Sequence, residues 1–271
     1  MDHYAVIGNP IAQSKSPLIH GMFAQATKQD LEYGRIEGHN FAADVDGFRA
    51  GGGRGLNITA PFKLDAFAYA TERSLRAQLA GAANCMKFDG ARVMAENFDG
   101  VGLVRDVVHN LQTPMAGKRL LILGAGGAAR GALLQFLAEK PALLVIANRH
   151  LDTAQALAKI GTDAAGPVSA CTYADLDGQS FDLVFNATSA SLKGELPPVA
   201  ASVFVNCTLA YELAYGKGLT PFLRMARTAD VKHLADGVGM LAEQAAEAFD
   251  WWRGVRPDTA AVIKAITIPL V

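Results

Sequence analysis

The sequence predicts an α/β protein of two domains, a mixed α/β N-terminal domain followed by a doubly wound parallel sheet, with a cleft between them. Three observations carry this. Apolar runs of strand length alternate with helical patterns along the chain. The pattern changes character after "NFDG", near residue 101. The half that follows holds six strand candidates, the number a complete doubly wound domain needs. With 271 residues and 51% hydrophobic content, the chain can form one large or two moderate cores.

In the first half, "YAVIG" reads as a strand. "SKSPLIHGMFAQA" reads as a helix with Ser16 as N-cap, Pro17 at the first helical position, and Leu18, Ile19, Met22, Phe23 and Ala26 on one face. "LEYGRIEG" and "GRGLNIT" are further strands, with a helix over "FAADVDGFRAG" between them. In "CMKFDGARVMAEN" the dipeptide Asp89-Gly90 separates two β-like runs, a hairpin signal.

A helix "VGLVRDVVHNL" then ends at Thr113-Pro114, and "KRLLILGAGGAARGALLQFLAEK" opens a strand and a helix. Strand candidates recur at "LLVIA", "PVSAC", "FDLVFNA", "VFVNC" and "DVKHLA". The helix "GMLAEQAAEAFDWWRG" carries Leu241, Ala245, Ala248, Phe249 and Trp252 on one face and Gly254 just past its end. It is expected to cross back onto the first domain. The boundaries therefore fall near 101 and 238: residues 1–100, completed by 238–271, form one domain and 101–237 the other.

Composition excludes several classes. The net charge of −1, without a basic run, leaves no electrostatic footprint for nucleic acid. Cys85, Cys171 and Cys207 are odd in number and far apart, which suits a reducing cytoplasm rather than a disulfide framework or a CxxC metal site. His3, His20, His39, His109, His150 and His233 lack ligand spacing, so no metal site is expected, and His20 reads simply as a helix residue. No run approaches the ~18 apolar residues of a membrane span, and no basic leader precedes a long apolar stretch. A cytoplasmic protein acting on small molecules is expected.

Gly124, Ala125, Gly126, Gly127, Ala128 and Ala129 follow the strand "RLLIL" directly and match G-x-G-x-x-A. Gly124 would allow the tight turn, Gly126 the close approach of a pyrophosphate, and Ala129 the packing of helix on strand, with helix N–H groups facing the anion. The next strand ends in "IANRH", where an NAD domain would usually offer an acid to the ribose hydroxyl. Arg149 stands there instead, and a guanidinium fork suits a 2′-phosphate, so NADP is favoured over NAD.

"GLNITAPFK" ends an apolar strand by delivering Lys63 to the start of the next element. A lysine in a first helical turn opposes the macrodipole by ~0.3–1 kcal/mol, too little to exclude a solvated residue. Asp99, in "ENFDG" at the domain junction, supplies a possible partner in the cleft. Together they would be an acid/base pair in which the amine exchanges a proton with a reacting oxygen and the carboxylate orients it.

The chain resembles shikimate dehydrogenases over nearly its whole length. "SKSP" (14–17), "NITAPFK" (57–63), "GAANC" (81–85), "NFDG" (97–100), "GAGGAARG" (124–131), "NATS" (186–189) and "GVGMLAEQAAEAF" (237–249) match that family's motifs in order. The resemblance implies reversible hydride transfer between NADPH and C3 of 3-dehydroshikimate, giving shikimate in aromatic amino-acid biosynthesis. It makes Lys63 and Asp99 the catalytic pair. Ser14 and Ser16 would hold the substrate carboxylate, with Tyr211 near it, while Thr59, Asn84 and Gln244 would hold the ring hydroxyls. Gly124, Ala125, Gly126, Gly127, Ala128, Asn148, Arg149, His150, Thr188, Leu209 and Gly237 would bind the cofactor. Domain closure around the ligand is expected of such a cleft; a monomer or homodimer is expected, the choice between them not being readable from the sequence.

Some positions depart from the family pattern. Phe98 replaces the usual threonine before Asp99, and Thr208-Leu209 stand where Asp-Met is usual near the nicotinamide. His150 and Thr153 weaken the expected NADP clamp. Two alternatives stay open: an NAD-accepting quinate/shikimate paralogue, and a non-catalytic dinucleotide or metabolite sensor. Retention of both Lys63 and Asp99 argues against the sensor.

Overall fold

A computed structural model describes residues 1–164 and 166–271. The chain divides into two compact units, one of residues 1–102 and 241–266, the other of residues 103–240 and 267–271.

In the first unit, β1 (Asp2–Gly8), α1 (Ser16–Thr27), β2 (Leu31–Glu37), α2 (Phe41–Ala50) and β3 (Gly53–Ile58) form a parallel start. After α3 (Lys63–Tyr69), β4 (Glu72–Arg73) and α4 (Leu75–Ala80), the hairpin of β5 (Cys85–Asp89) and β6 (Arg92–Glu96) turns through Gly90 at φ +57°. The six strands lie in the order β2-β1-β3-β5-β6-β4, with β5 antiparallel to both neighbours. The core includes Ile7, Val45, Leu56, Ala66 and Met86.

Two expectations for α1 are corrected. Ser16 is its first residue, not its cap; Lys15 holds the cap position without a side-chain bond. The buried face is Ile19, His20, Phe23 and Ala24, while Leu18 and Ala26 are exposed. The difference comes from His20, a polar residue accepted into the core because its ring stacks on Tyr33 with centroids 4.2 Å apart.

α5 (Asp99–Arg105) leads into the second unit and continues as one π turn, Asp106–Asn110, where a uniform helix was expected. The wider turn brings the buried Asp106 carboxylate to Tyr211 Oη at 2.7 Å. There follow β7 (Arg119–Leu123), α6 (Gly127–Ala138), β8 (Leu143–Ala147), α7 (Leu151–Asp163), β9 (Val168–Cys171), β10 (Leu183–Asn186), β11 (Leu209–Glu212), α8 (Pro221–Thr228) and β12 (His233–Asp236). The sheet is wholly parallel, in the order β12-β11-β10-β7-β8-β9. Its central strand β7 is buried on both faces: Leu120 and Ile122 enter one cluster, Leu121 and Leu123 the other.

The expected strand "VFVNC" is not one. Ala201–Phe204 is a 3₁₀ turn that buries Val203 and Phe204, and Asn206 takes a left-handed φ of +60°. The fifth strand is "LAYE", whose final glutamate disguises a segment buried along its whole length. α9 (Val238–Arg253) returns to the first unit, where Ala248 and Trp252 pack on Tyr4 and Phe98. Gly254 follows at φ +69°, and α10 (Ala260–Ile266) completes that unit.

Candidate active site

In the first unit, β3 and the turn after it place Lys63 as the first residue of α3, with its carbonyl accepting from Ala83 N at 2.9 Å. That bond ties Lys63 to "GAANC". Lys63 Nζ donates to Asp99 Oδ2 at 2.6 Å, and Asn84 Nδ2 donates to Asp99 Oδ1 at 2.8 Å and to Gln244 Oε1 at 3.3 Å. Asn84 and Gln244 stand 160 positions apart along the chain, yet with Lys63 and Asp99 they form one polar cluster.

Asp99 stands at the start of α5, where the helix dipole favours a carboxylate. It is 15% exposed and Lys63 35% exposed, so the pair is sheltered but reachable. Its approach is fixed from behind. Glu96 Oε1 accepts from Ser74 Oγ and from Asn97 N, and Arg76 binds both carboxylate oxygens. Phe98 N donates to Asn84 Oδ1 and Asp99 N to Asn97 Oδ1. The Phe98 ring itself lies in the core, edge-on to Trp251 and under the Arg76 guanidinium. An aromatic residue is therefore accommodated before Asp99 by packing.

Ser14 Oγ donates to Ser16 Oγ at 3.2 Å and accepts from Ser16 N, so the two expected hydroxyls sit together. Arg35 Nη2 donates to the Ser14 carbonyl at 2.8 Å, a cation beside the serines that sequence reasoning missed. Thr59 N bonds to Ile7 O, fixing the residue at the end of β1. Asn57, two residues earlier on the same strand face, accepts from Tyr33 Oη at 2.6 Å. Neither His20 nitrogen nor Asn57 Nδ2 has a partner of good geometry among the described residues. Burial holds the His20 imidazole down to about 3, the nearby Asn57 amide acting in the opposite sense. Asn57 opens the "NITAPFK" motif, two residues before Thr59, and that position was the signal for it.

In the second unit, strand register organises the cofactor candidates. Cys171, Ala147, Leu123, Asn186, Glu212 and Asp236 are the last residues of six neighbouring strands and lie in one row. Ligands of open parallel sheets bind beyond such carboxyl ends. Gly124, Ala125, Gly126, Gly127 and Ala128 follow that row directly, as do Asn148, Arg149 and His150; Thr188 and Gly237 do too. Gly124 has φ +97°, and a Cβ there would press on Thr188 and the Ala187 carbonyl. A Cβ on Gly126 or Gly127 would meet nothing within 4 Å, and α6 has no side-chain cap. An uncapped helix start that follows a glycine turn is the kind of place at which a phosphate binds. Arg149 and His150 are exposed, and Asn148 Nδ2 donates to the His150 carbonyl at 3.0 Å.

Two expected ligand contacts are corrected. Leu209 begins β11, in register with Leu183 and His233 at the opposite, amino end of the sheet, and is fully buried. Thr208 precedes it there. Tyr211 is also fully buried, donating from Oη to Asp106 and accepting from Met240 N. Both of its hydrogen-bonding capacities are used within the core. The acidic and apolar pair at the carboxyl edge is Glu212-Leu213, and the tyrosine beyond it, Tyr215, is 43% exposed. A Cβ on Gly237 would overlap the Leu213 carbonyl, which shows how closely these two segments meet. Leu213 and Tyr215 stand four residues after Leu209 and Tyr211, past the carboxyl end of β11.

Comparison with known proteins bears on the whole chain. Residues 6–86 match the shikimate dehydrogenase substrate binding domain, 106–193 shikimate / quinate 5-dehydrogenase, and 237–267 the shikimate 5′-dehydrogenase C-terminal domain. The chain is 54% identical over 263 residues to a shikimate dehydrogenase (NADP(+)) of Chromobacterium violaceum, covering 96% of each. It is similar to the crystal structure of an Ael1 enzyme from Pseudomonas putida, at 60% identity over 100% of each chain with a TM-score of 0.95. It is also similar to shikimate 5-dehydrogenase from Thermus thermophilus in complex with NADP(H) and shikimate, at 28% identity over 98% of each chain with a TM-score of 0.87.

Proposed function

The chain belongs to the shikimate dehydrogenase family, and we propose that the cluster around Lys63 and Asp99 is its catalytic centre. The protein is an NADP-dependent oxidoreductase that interconverts 3-dehydroshikimate and shikimate, a step of aromatic amino-acid biosynthesis. The observation that carries the assignment of the centre is the 2.6 Å contact between Lys63 Nζ and Asp99 Oδ2, with Asn84 on the other carboxylate oxygen.

NADPH, when bound, supplies the hydride to C3. Lys63 donates a proton to the C3 oxygen as negative charge builds there, and takes one back in the reverse direction. Asp99 orients the ammonium, and Asn84 orients Asp99. Thr59, Asn84 and Gln244 hold ring hydroxyls, and the paired hydroxyls of Ser14 and Ser16 hold the carboxylate. On the cofactor side, the first turn of α6 holds the pyrophosphate, and Asn148, Arg149 and His150 hold the 2′-phosphate. Thr188, Gly237 and, in place of Leu209, Leu213 border the nicotinamide end. The free cysteines suit a cytoplasmic protein.

Initial rates of nicotinamide reduction test this, with shikimate and with quinate, each with NADP and with NAD. Turnover of shikimate with NADP well above the other combinations is expected. Preference for quinate or NAD would move the protein to a different branch of the family, and the absence of turnover in every combination would refute the catalytic reading.

A further inference from the structure

β10, β11 and β12 end side by side on Asn186, Glu212 and Asp236. A carboxylate buried without partners is unfavourable by several kcal/mol, yet Glu212 has no exposed surface. Its Oε2 accepts from Asn186 Nδ2 at 3.0 Å, from Thr220 Oγ1 at 3.1 Å and from Ser191 Oγ. Its Oε1 accepts from Ala214 N at 3.4 Å. Asp236 accepts from Gly216 N at 3.1 Å through Oδ2 and from Val238 N at 3.2 Å through Oδ1. Leu213 N bonds to Asn186 O, and Gly237 N to Ala214 O. The amides of residues 213, 214 and 216 are thus all engaged. Asn186 Oδ1, in turn, accepts from both the N–H and the hydroxyl of Thr188.

The glycine loop follows β7 and Arg149 follows β8, so the adenosine half of a dinucleotide falls on β7, β8 and β9, and the other half on β10, β11 and β12. We propose that Glu212 and Asp236 are positioning residues for the cofactor, a carboxylate pair on adjacent strand ends that sets the backbone of residues 213–216 and, through Asn186, Thr188. The proposal rests on the NADP reading above. Neither carboxylate contacts the ligand; both act through the segment they hold. Burial raises both carboxyls above their usual range, opposed at Glu212 by hydrogen bonds from Ser191, Asn186, Ala214 and Thr220, and at Asp236 by backbone amides including those of Gly216 and Val238.

Glu212→Gln and Asp236→Asn each turn one acceptor oxygen into an N–H donor that must face an existing donor. Glu212→Asp and Asp236→Glu keep the charge. We would measure kcat, the KM for each substrate, the Kd of NADPH by calorimetry and the far-ultraviolet circular dichroism of each variant. The amide variants should raise the KM and Kd for NADP(H) about tenfold, as expected for loss of a charged hydrogen bond. The KM for shikimate should stay within about twofold, and the charge-retaining variants should recover part of the loss. An unchanged Kd, an equal rise in both KM values, or charge-retaining variants as impaired as the amides would overturn the proposal. If Glu212→Gln fails to fold, Asp236→Asn, less deeply buried, carries the same test. A parent without NADP-linked turnover whose NADPH affinity still falls in the variants would sink the enzymatic reading and leave the positioning role standing.

Discussion

Replacing Lys63 with alanine removes the ammonium 2.6 Å from Asp99 Oδ2 and leaves that carboxylate with Asn84 Nδ2 at 2.8 Å. Asp99 keeps a donor and stays at the favourable end of α5, so the variant should fold. The ion pair is partly exposed and contributes at most ~1 kcal/mol. Loss of a lysine that opposes the α3 dipole returns ~0.3–1 kcal/mol. The two effects nearly cancel, and Tm should move by no more than ~4 °C. Turnover should respond very differently, because a positioned proton-transfer group contributes ~10²–10⁴ in rate, or ~3–5 kcal/mol of barrier. The assay is initial-rate NADPH formation from shikimate, with shikimate affinity measured separately by calorimetry. A kcat within about threefold of the parent would remove Lys63 from the chemistry. A large fall in Tm accompanying the loss would show instead that the residue is structural.

Tyr211→Phe should destabilise the protein by ~1–3 kcal/mol in urea unfolding, because it removes the hydroxyl that donates to buried Asp106. The shikimate KM should not change, whereas a tyrosine contacting the substrate would raise it. Arg149→Ala should raise the KM for NADP by ~10-fold or more while leaving NAD kinetics nearly unchanged, as loss of a charged phosphate contact requires; equal effects on both cofactors would contradict the assignment. His20 is held down to about 3 in the fold against ~6.5 when unfolded, so its stabilising effect is complete above pH 6.5 and is lost as the pH falls toward 3. Unfolding free energies from urea titrations between pH 6.5 and 5 should rise with pH at up to ~1.4 kcal/mol per pH unit from this group, and His20→Phe should abolish that part. Identical slopes in the two proteins would refute the assignment.

Residues close together in sequence were legible wherever their pattern was local. The Asp89-Gly90 hairpin, the glycine turn after "RLLIL" and the helix that begins near residue 238 all follow from turn chemistry and periodicity, and each lies where its residues indicate. The motif order was equally legible, so Lys63, Asn84, Asp99 and Gln244 could be named before their contacts were known. The failures share a cause. "VFVNC" is β-branched and apolar but turns into the core, while "LAYE" ends on a buried acid and forms the strand; propensity scores the wrong segment because burial outweighs it. Leu209 and Tyr211, named from the family pattern, lie on that buried strand, four residues before Leu213 and Tyr215.

The α/β class, the six-strand second half and the glycine loop are encoded in spacing along the chain, and spacing can be read without coordinates; the polar residues around Lys63 could be named only through the chain's resemblance to a family. Which partner each buried polar group finds is a different matter, settled by tertiary contacts alone. Tyr211 and Glu212 are adjacent, yet one joins Asp106 in the core and the other holds the amide of Ala214. Strand register and burial set that difference, and both arise from contacts between residues far apart in the chain.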